Sequence, residues 1–314
     1  MKINFYLIFF VVFSTTFVKA QQLPIFTQYR EMQGFINPAS ISSDYPLLDG
    51  YNLNVGATTR LQWIKNPGTP RTYAIHGEYL TPNDGAKLLT GGYLIRDEAS
   101  RVKNTGVYGR VGTIISNDPK EYGISGALSL GLLAYSLDLD GIVPRDPGDL
   151  LATSSQTRFN VDAGLGVYGY KKLGRAGYAY GGLSVPQILG VNTKYKSLNK
   201  DSSFVFKRAR HYYANGGILI PGQDETSYFE INTWVRYIPH SPINADINFR
   251  FSSNRIFWLG AGYNTGKLIN LEGGIYINND YLIRVGFAYS YTLGTFHNAF
   301  GDIYEFNVST SLSR

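Results

Sequence analysis

Along most of the chain, large apolar side chains alternate with small or polar ones at a period of two. Over 281–291 the odd positions are Tyr281, Ile283, Val285, Phe287, Tyr289 and Tyr291, and the even ones are Leu282, Arg284, Gly286, Ala288 and Ser290. Successive residues of a strand face opposite sides, so one face is large and apolar and the other small or polar. The pattern recurs over 303–312, where Tyr304, Phe306, Val308 and Thr310 oppose Glu305, Asn307, Ser309 and Ser311, and again over 158–170, 227–238 and 245–251. It predicts strands over 51–62, 72–79, 87–96, 106–115, 123–137, 158–170, 177–186, 211–220, 227–238, 245–251, 256–263, 268–277, 282–291 and 303–313, about fourteen in all, an even number as in single-chain bacterial barrels.

Any half-buried sheet alternates in this way. Strands of roughly 9–11 residues with an apolar outer face and a polar inner one suit a transmembrane barrel. Only a closed sheet satisfies every backbone group in lipid. The connections 80–86, 116–122, 171–176, 221–226, 252–255 and 278–281 are short, and 138–157, 187–210 and 292–302 are long. Short periplasmic turns and longer outer loops are the habit of outer-membrane barrels, which puts the N-terminus in the periplasm. The expected fold is all-β: a transmembrane antiparallel β-barrel over 51–314, preceded by a short periplasmic plug or arm over 21–50.

Residues 1–20 read as a secretory signal: Lys2, an apolar run from Ile3 to Phe17, then Val18-Lys19-Ala20 as the cleavage site. Composition agrees with a glycine- and aromatic-rich β protein, with 25 Tyr, 18 Phe and 35 Gly against 13 Pro. There is no cysteine, so disulfide and thiolate chemistry are excluded. The formal charge of +6, two units of which come from Lys2 and Lys19, is too mild for a nucleic-acid protein. It suits an anionic lipid surface or an acidic partner, and outer-membrane lipid is an expected partner.

Catalytic and metal motifs are missing. His76, His211, His240 and His297 stand in no ligand spacing, and no His-Glu-x-x-His or Gly-x-Ser-x-Gly occurs. Gly164-Leu165-Gly166 and Gly181-Gly182 lie inside strands, where close strand packing or curvature is their expected role. The reading is of a non-enzymatic protein with no cofactor and no metal.

The stretch ahead of the first strand is different. Phe26-Thr27-Gln28-Tyr29 is followed by Phe35-Ile36-Asn37-Pro38-Ala39, a segment that reads as neither helical nor strand-like. Pro38 pushes Asn37 out of the α region and marks a turn. Its apolar side chains must bury somewhere, each contributing about 1.5–3 kcal/mol if fully withdrawn from water. Phe26, Gln28, Tyr29, Phe35, Asn37, Pro38 and Ala39 are therefore candidate plug or docking residues, with the periplasmic mouth, or a partner docked there, as the expected receptor.

These residues, with motifs further along, resemble the PorP/SprF family of type IX secretion outer-membrane proteins. After Gln28-Tyr29 and Asn37-Pro38-Ala39 come Arg60-Leu61-Gln62-Trp63 and a proline-bearing loop, in which Arg60 and Trp63 are the candidate family landmark. Gly91-Gly92, Gly181-Gly182-Leu183-Ser184-Val185-Pro186, Arg210-His211-Tyr212-Tyr213, Phe257-Trp258-Leu259-Gly260-Ala261-Gly262-Tyr263-Asn264 and Val285-Gly286-Phe287-Ala288-Tyr289 follow in order. The chain departs from the pattern at Ser290, where many members carry an acid, and at Gly301-Asp302-Ile303-Tyr304-Glu305, which has no His-Glu. The resemblance implies a place in the bacterial outer membrane and a part in secretion or surface attachment of adhesins, as in gliding motility. The implied partners are the C-terminal signal domain of a secreted adhesin and other type IX components.

Glu230, Arg236, Asp246, Arg250, Arg284 and Glu305 fall on the inward face of neighbouring strands and are expected to satisfy one another inside a narrow lumen. Two alternatives have the same strands: a passive porin, and a transporter of hydrophobic small molecules of the FadL type, which would need an apolar lumen.

Overall fold

The computed structural model describes residues 24–41, 51–64, 66–81, 86–139, 155–190, 192–196, 203–223, 227–253, 256–278, 282–294, 297 and 301–312. The signal sequence read over 1–20 lies outside these residues.

Fourteen antiparallel strands close into a barrel. The first seven are β1 (Leu53–Gln62), β2 (Arg71–Leu80), β3 (Lys87–Ala99), β4 (Val102–Ile115), β5 (Tyr122–Leu137), β6 (Gln156–Lys172) and β7 (Tyr178–Gln187). A small hairpin, β8 (Asn192–Lys196) and β9 (Ser203–Lys207), stands apart from the barrel sheet. The wall resumes with β10 (His211–Pro221), β11 (Tyr228–Tyr237), β12 (Asn244–Ser253), β13 (Phe257–Asn264), β14 (Leu268–Asn278), β15 (Leu282–Thr292) and β16 (Ile303–Leu312). β16 pairs with β1 from Leu53↔Leu312 to Gln62↔Ile303, and this junction closes the ring.

The alternation read from the sequence sets the two faces. Val285, Phe287, Phe306, Val308, Phe249 and Phe251 are exposed on the outer wall, while Arg284, Gly286, Glu305, Asn307, Asn248 and Arg250 are buried inside. An outward apolar face with every backbone group paired in a closed sheet is what a bilayer requires.

The barrel has a terminal end, where β1 begins and β16 finishes, and an opposite loop end. All connections at the terminal end are short. The long ones, 138–155, 188–210 and 293–302, lie at the loop end, but tight turns occur there too. Ser100-Arg101 alone joins β3 to β4, and 265–267 joins β13 to β14. Ser100 (φ 54°) and Lys267 (φ 65°) adopt the left-handed conformation that such hairpins need. The segment 187–210, read from sequence as a loop, holds the β8–β9 hairpin. Strand formation there goes beyond what its basic, turn-rich composition signals.

Candidate functional site

The lumen is filled by residues 24–41, which form a plug. The sequence reading of a non-helical segment is corrected here: Tyr29–Met32 makes a 3-10 turn and Gln33–Ile36 one turn of α-helix. Asn37 then turns extended (φ −137°, ψ 114°), as the following Pro38 requires, and ends the helix. Its side chain builds the next turn, with Oδ1 accepting the Ala39 N–H at 3.0 Å while the Ser40 N–H donates to the Asn37 carbonyl at 3.0 Å.

The same Asn37 amide docks the turn on the wall, its Nδ2 donating to the Val167 carbonyl of β6 at 3.0 Å. A Cβ on Gly166 or on Gly182 would collide with this amide. These glycines therefore make room for the plug, a role beyond the strand packing or curvature expected from sequence.

Aromatic rings fix the rest of the segment. Phe26 meets Phe35 edge-on at 5.6 Å, and Phe35 meets Tyr93 at 5.2 Å, which stacks on Tyr108 at 4.6 Å. On the other side Tyr29 packs on Trp234 at 5.4 Å, and its hydroxyl donates to Asn232. Such pairs contribute about 0.5–1.5 kcal/mol each beyond area burial. Phe26, Tyr29, Phe35 and Ile36 are all buried, together with Gln28, Asn37, Pro38 and Ala39.

The plug lies deeper than the mouth expected from sequence. The Thr27 and Gln28 N–H groups both donate to the Glu305 carboxylate at 2.8 Å, near the loop end of β16. Ala39 and Ile41 instead pack with Leu80, Leu89, Ile114 and Tyr170, where strands meet the short turns of the terminal end. The segment thus crosses the barrel interior lengthwise. Depth follows from its chemistry: both ends carry apolar groups that find buried partners at different heights of the wall.

The inward charges do not satisfy one another alone, as the sequence suggested; the plug completes them. Arg30 pairs with Glu230, which also accepts the Tyr180 hydroxyl at 2.6 Å. Glu31 lies 2.8 Å from Arg250 and 3.4 Å from Arg284, and Arg250 reaches Glu272 at 2.7 Å. Arg110 holds the far end, donating to the Pro38 carbonyl at 2.8 Å and the Ser40 carbonyl at 2.7 Å. Ser184 Oγ donates to the Ile36 carbonyl at 2.7 Å. Breaking a buried pair by removing one partner costs about 3–5 kcal/mol, so this network fixes the plug's position strongly.

Several buried polar atoms at the interface lack a hydrogen-bond partner among the described residues, among them Gln33 Oε1, Arg60 Nε, the Trp234 indole nitrogen, the Gln28 amide and the His76 ring. A cavity of about 30 Å³, lined by His76, Glu31, Glu78, Arg110 and Arg284 among others, lies beside the His76 ring and has room for a water molecule. Towards the loop end, Arg208 from the β9–β10 link reaches Asp162 of the inner wall at 2.9 Å. No group of three or more metal-ligating side chains occurs among the described residues.

Residues 18–310 match the family described as "Type IX secretion system membrane protein PorP/SprF". The chain belongs to the PorP/SprF family. This PorP/SprF barrel is a protein of the bacterial outer membrane and of the type IX secretion system. No curated protein matches the chain. Among solved structures, the deltaS2S3 mutant of the TodX monoaromatic hydrocarbon channel is similar, with 12% identity over 90% of this chain and 94% of that one and a TM-score of 0.54. A Pseudomonas aeruginosa FadL homologue is similar with 9% identity over 89% of this chain and 95% of that one and a TM-score of 0.53. At these identities the likeness is one of fold.

The two residues read from sequence as a candidate family landmark go to different places. Arg60 is buried in the lumen, donating to Thr27 Oγ1 at 2.9 Å and to Glu305 at 3.2 Å. Trp63 sits in the β1–β2 connection with a left-handed backbone (φ 55°), its N–H donating to the Asp302 carbonyl at 2.9 Å. Two residues read from sequence as departures from the pattern also take part in the site: Ser290 Oγ is 2.9 Å from Thr27 Oγ1, and Glu305 holds the plug backbone. Sequence reasoning did not find Arg30, Glu31, Arg110 or Ser184 as plug anchors. Opposite charges at adjacent positions, Arg30 and Glu31, in an otherwise uncharged segment were the available signal.

Proposed function

We propose that this PorP/SprF protein is a closed, non-enzymatic barrel that supports secretion or surface attachment of an adhesin. Its partners in this reading are the C-terminal signal domain of the cargo, other type IX components and the surrounding outer-membrane lipid. The short-turn end faces the periplasm and the long loops face outward. The observation that carries the reading is the plug, which crosses the lumen and is anchored from Glu305 to Arg110. A barrel so filled gives a rigid frame for docking and leaves little path for diffusing solutes.

The FadL-type alternative draws on shared fold alone. TodX is described as a monoaromatic hydrocarbon channel. Here the plug–wall boundary carries Arg30, Glu31, Arg110, Arg250 and Arg284, a poor lining for an apolar solute.

Deleting residues 26–39 behind an intact signal tests the reading. The expected result is a barrel that still reaches the outer membrane and loses surface display of its adhesin. Unchanged display, or a wild-type protein that alone behaves as an open general porin in planar bilayers, overturns it.

A further inference from the structure

The plug does not touch the wall evenly. Its first turn sits on the one junction that joins the two ends of the sheet. Arg60 of β1 and Glu305 of β16 are directly opposed in that junction's register. Between them they hold Thr27 and Gln28: Glu305 takes both backbone N–H groups, and Arg60 takes the Thr27 hydroxyl. All these groups are buried. Beside them Ser290 of β15 contacts Thr27, so three consecutive strands at the closure share one plug residue.

The geometry points to the plug as the lock on the β1–β16 junction. Backbone pairing between β1 and β16 resembles that at any other junction, ten register pairs from end to end. What distinguishes it is that β1 and β16 are the first and last strands, so no connection joins them and only their pairing and the plug, which bonds both members of the buried Arg60–Glu305 pair, hold them together. Glu230 and Arg250, opposed in β11–β12, also meet the plug through Arg30 and Glu31, but those two strands are joined by the 238–243 connection. Withdrawing the first turn leaves the carboxylate without its two amide donors and the guanidinium without the threonine. The vacated lumen lets water reach the pair and screen its attraction, and the two strands that no connection joins lose the most by it. Plug displacement therefore loosens the wall at this junction first, opening the barrel sideways towards the membrane. The plug becomes a link between whatever binds in the lumen and a lateral seam. This goes beyond the proposed role in export and does not depend on the identity of any cargo.

Backbone amide exchange on the purified full barrel in lipid nanodiscs tests it, comparing wild type with a chain lacking residues 26–31. The expected result is that exchange in β1 and β16 speeds up roughly tenfold or more, while β11 and β12, which lose Arg30 and Glu31 in the same deletion, and the β4–β5 junction stay protected. Unchanged exchange at β1 and β16, or an equal rise all round the wall, overturns the inference. If the shortened chain does not assemble, the pair Ala57→Cys and Val308→Cys supplies the second arm. These positions are register partners on the outer face, in a chain with no other cysteine. Assembly restored by closing that disulfide supports a seam lock, and assembly not restored by it overturns one. Adhesin display is not part of this readout. A failure here leaves the export reading standing, and a loss of display with unaltered exchange defeats only the lock.

Discussion

The side-chain amide of Asn37 occupies the space where a Cβ of Gly182 would stand, and it leans on Gly166 in the same way. Gly166→Ala should therefore destabilise the barrel by about 1–3 kcal/mol through overpacking against the plug, and Gly182→Ala by a similar amount against the plug and the Val167 carbonyl of β6 together. Gly109 and Gly126, where an added Cβ meets nothing within 4 Å, are the controls. Alanine there should shift stability by less than about 0.5 kcal/mol. Denaturant unfolding in lipid vesicles reads both; equal losses at all four sites would show that the plug is not the cause.

Removing the Glu305 carboxylate leaves Arg60 buried without its ion-pair partner and two plug amides without their acceptor. Glu305→Ala should cost about 3–5 kcal/mol. Glu305→Gln keeps an acceptor oxygen and should cost less. The order of the two unfolding midpoints checks this, and a midpoint for Glu305→Ala at the wild-type value would contradict the anchoring role.

The two faces of β15 should respond differently. Val285 is exposed on the outer wall, and Val285→Arg should cost about 2–4 kcal/mol if it lies near the bilayer midplane. Gly286 faces the lumen, where an added Cβ meets the edge of the buried Trp258 ring at 2.9 Å and, closer still, the end of the flexible Gln28 side chain. That chain end can move aside, so Gly286→Ser should be the milder change. Folded yield in vesicles separates them, and equal yields for wild type and Val285→Arg would reverse the assignment of faces.

Orientation can be read on intact cells. A single cysteine placed in the 138–155 or 188–210 connection should react with a membrane-impermeant maleimide, while one in the 173–177 turn should not. The absence of native cysteine makes any labelling site-specific. Labelling of the 173–177 turn alone would turn the barrel over.

The strands were legible because each encodes its own alternation, so β15 and β16 could be read from a dozen residues apiece. The hairpin over 192–207 was not, because its sequence carries basic and turn residues in place of a repeating pattern. For the plug, burial of Phe26, Tyr29, Phe35 and Ile36 followed from hydrophobicity, and the turn at Asn37 followed from Pro38. Their partners did not. Arg30 meets Glu230 and Glu31 meets Arg250 across some two hundred residues of chain, and local composition says nothing about a pairing at that distance. Depth was misjudged for the same reason: a sequence shows that a segment must bury, and only the wall shows how far in.

The lengthwise path of the plug also has a mechanical consequence. Its Phe26–Gln28 end is held near the loop end and its Ala39–Ile41 end near the terminal end. A pull from either end acts along the segment's own axis and loads the nearest contact first, Arg110 from the terminal side and Glu305 from the loop side. The chain runs on from Ile41 into β1, which begins at Leu53 in the wall, so traction toward the loop end also strains that covalent link and traction toward the terminal end does not. Resistance to forced extraction is a matter of rate, so the plug should hold far longer against traction toward the loop end than against traction toward the terminal end. The plug would then behave as a directional catch, yielding to a partner that grasps it from one face of the membrane and resisting one that tugs from the other.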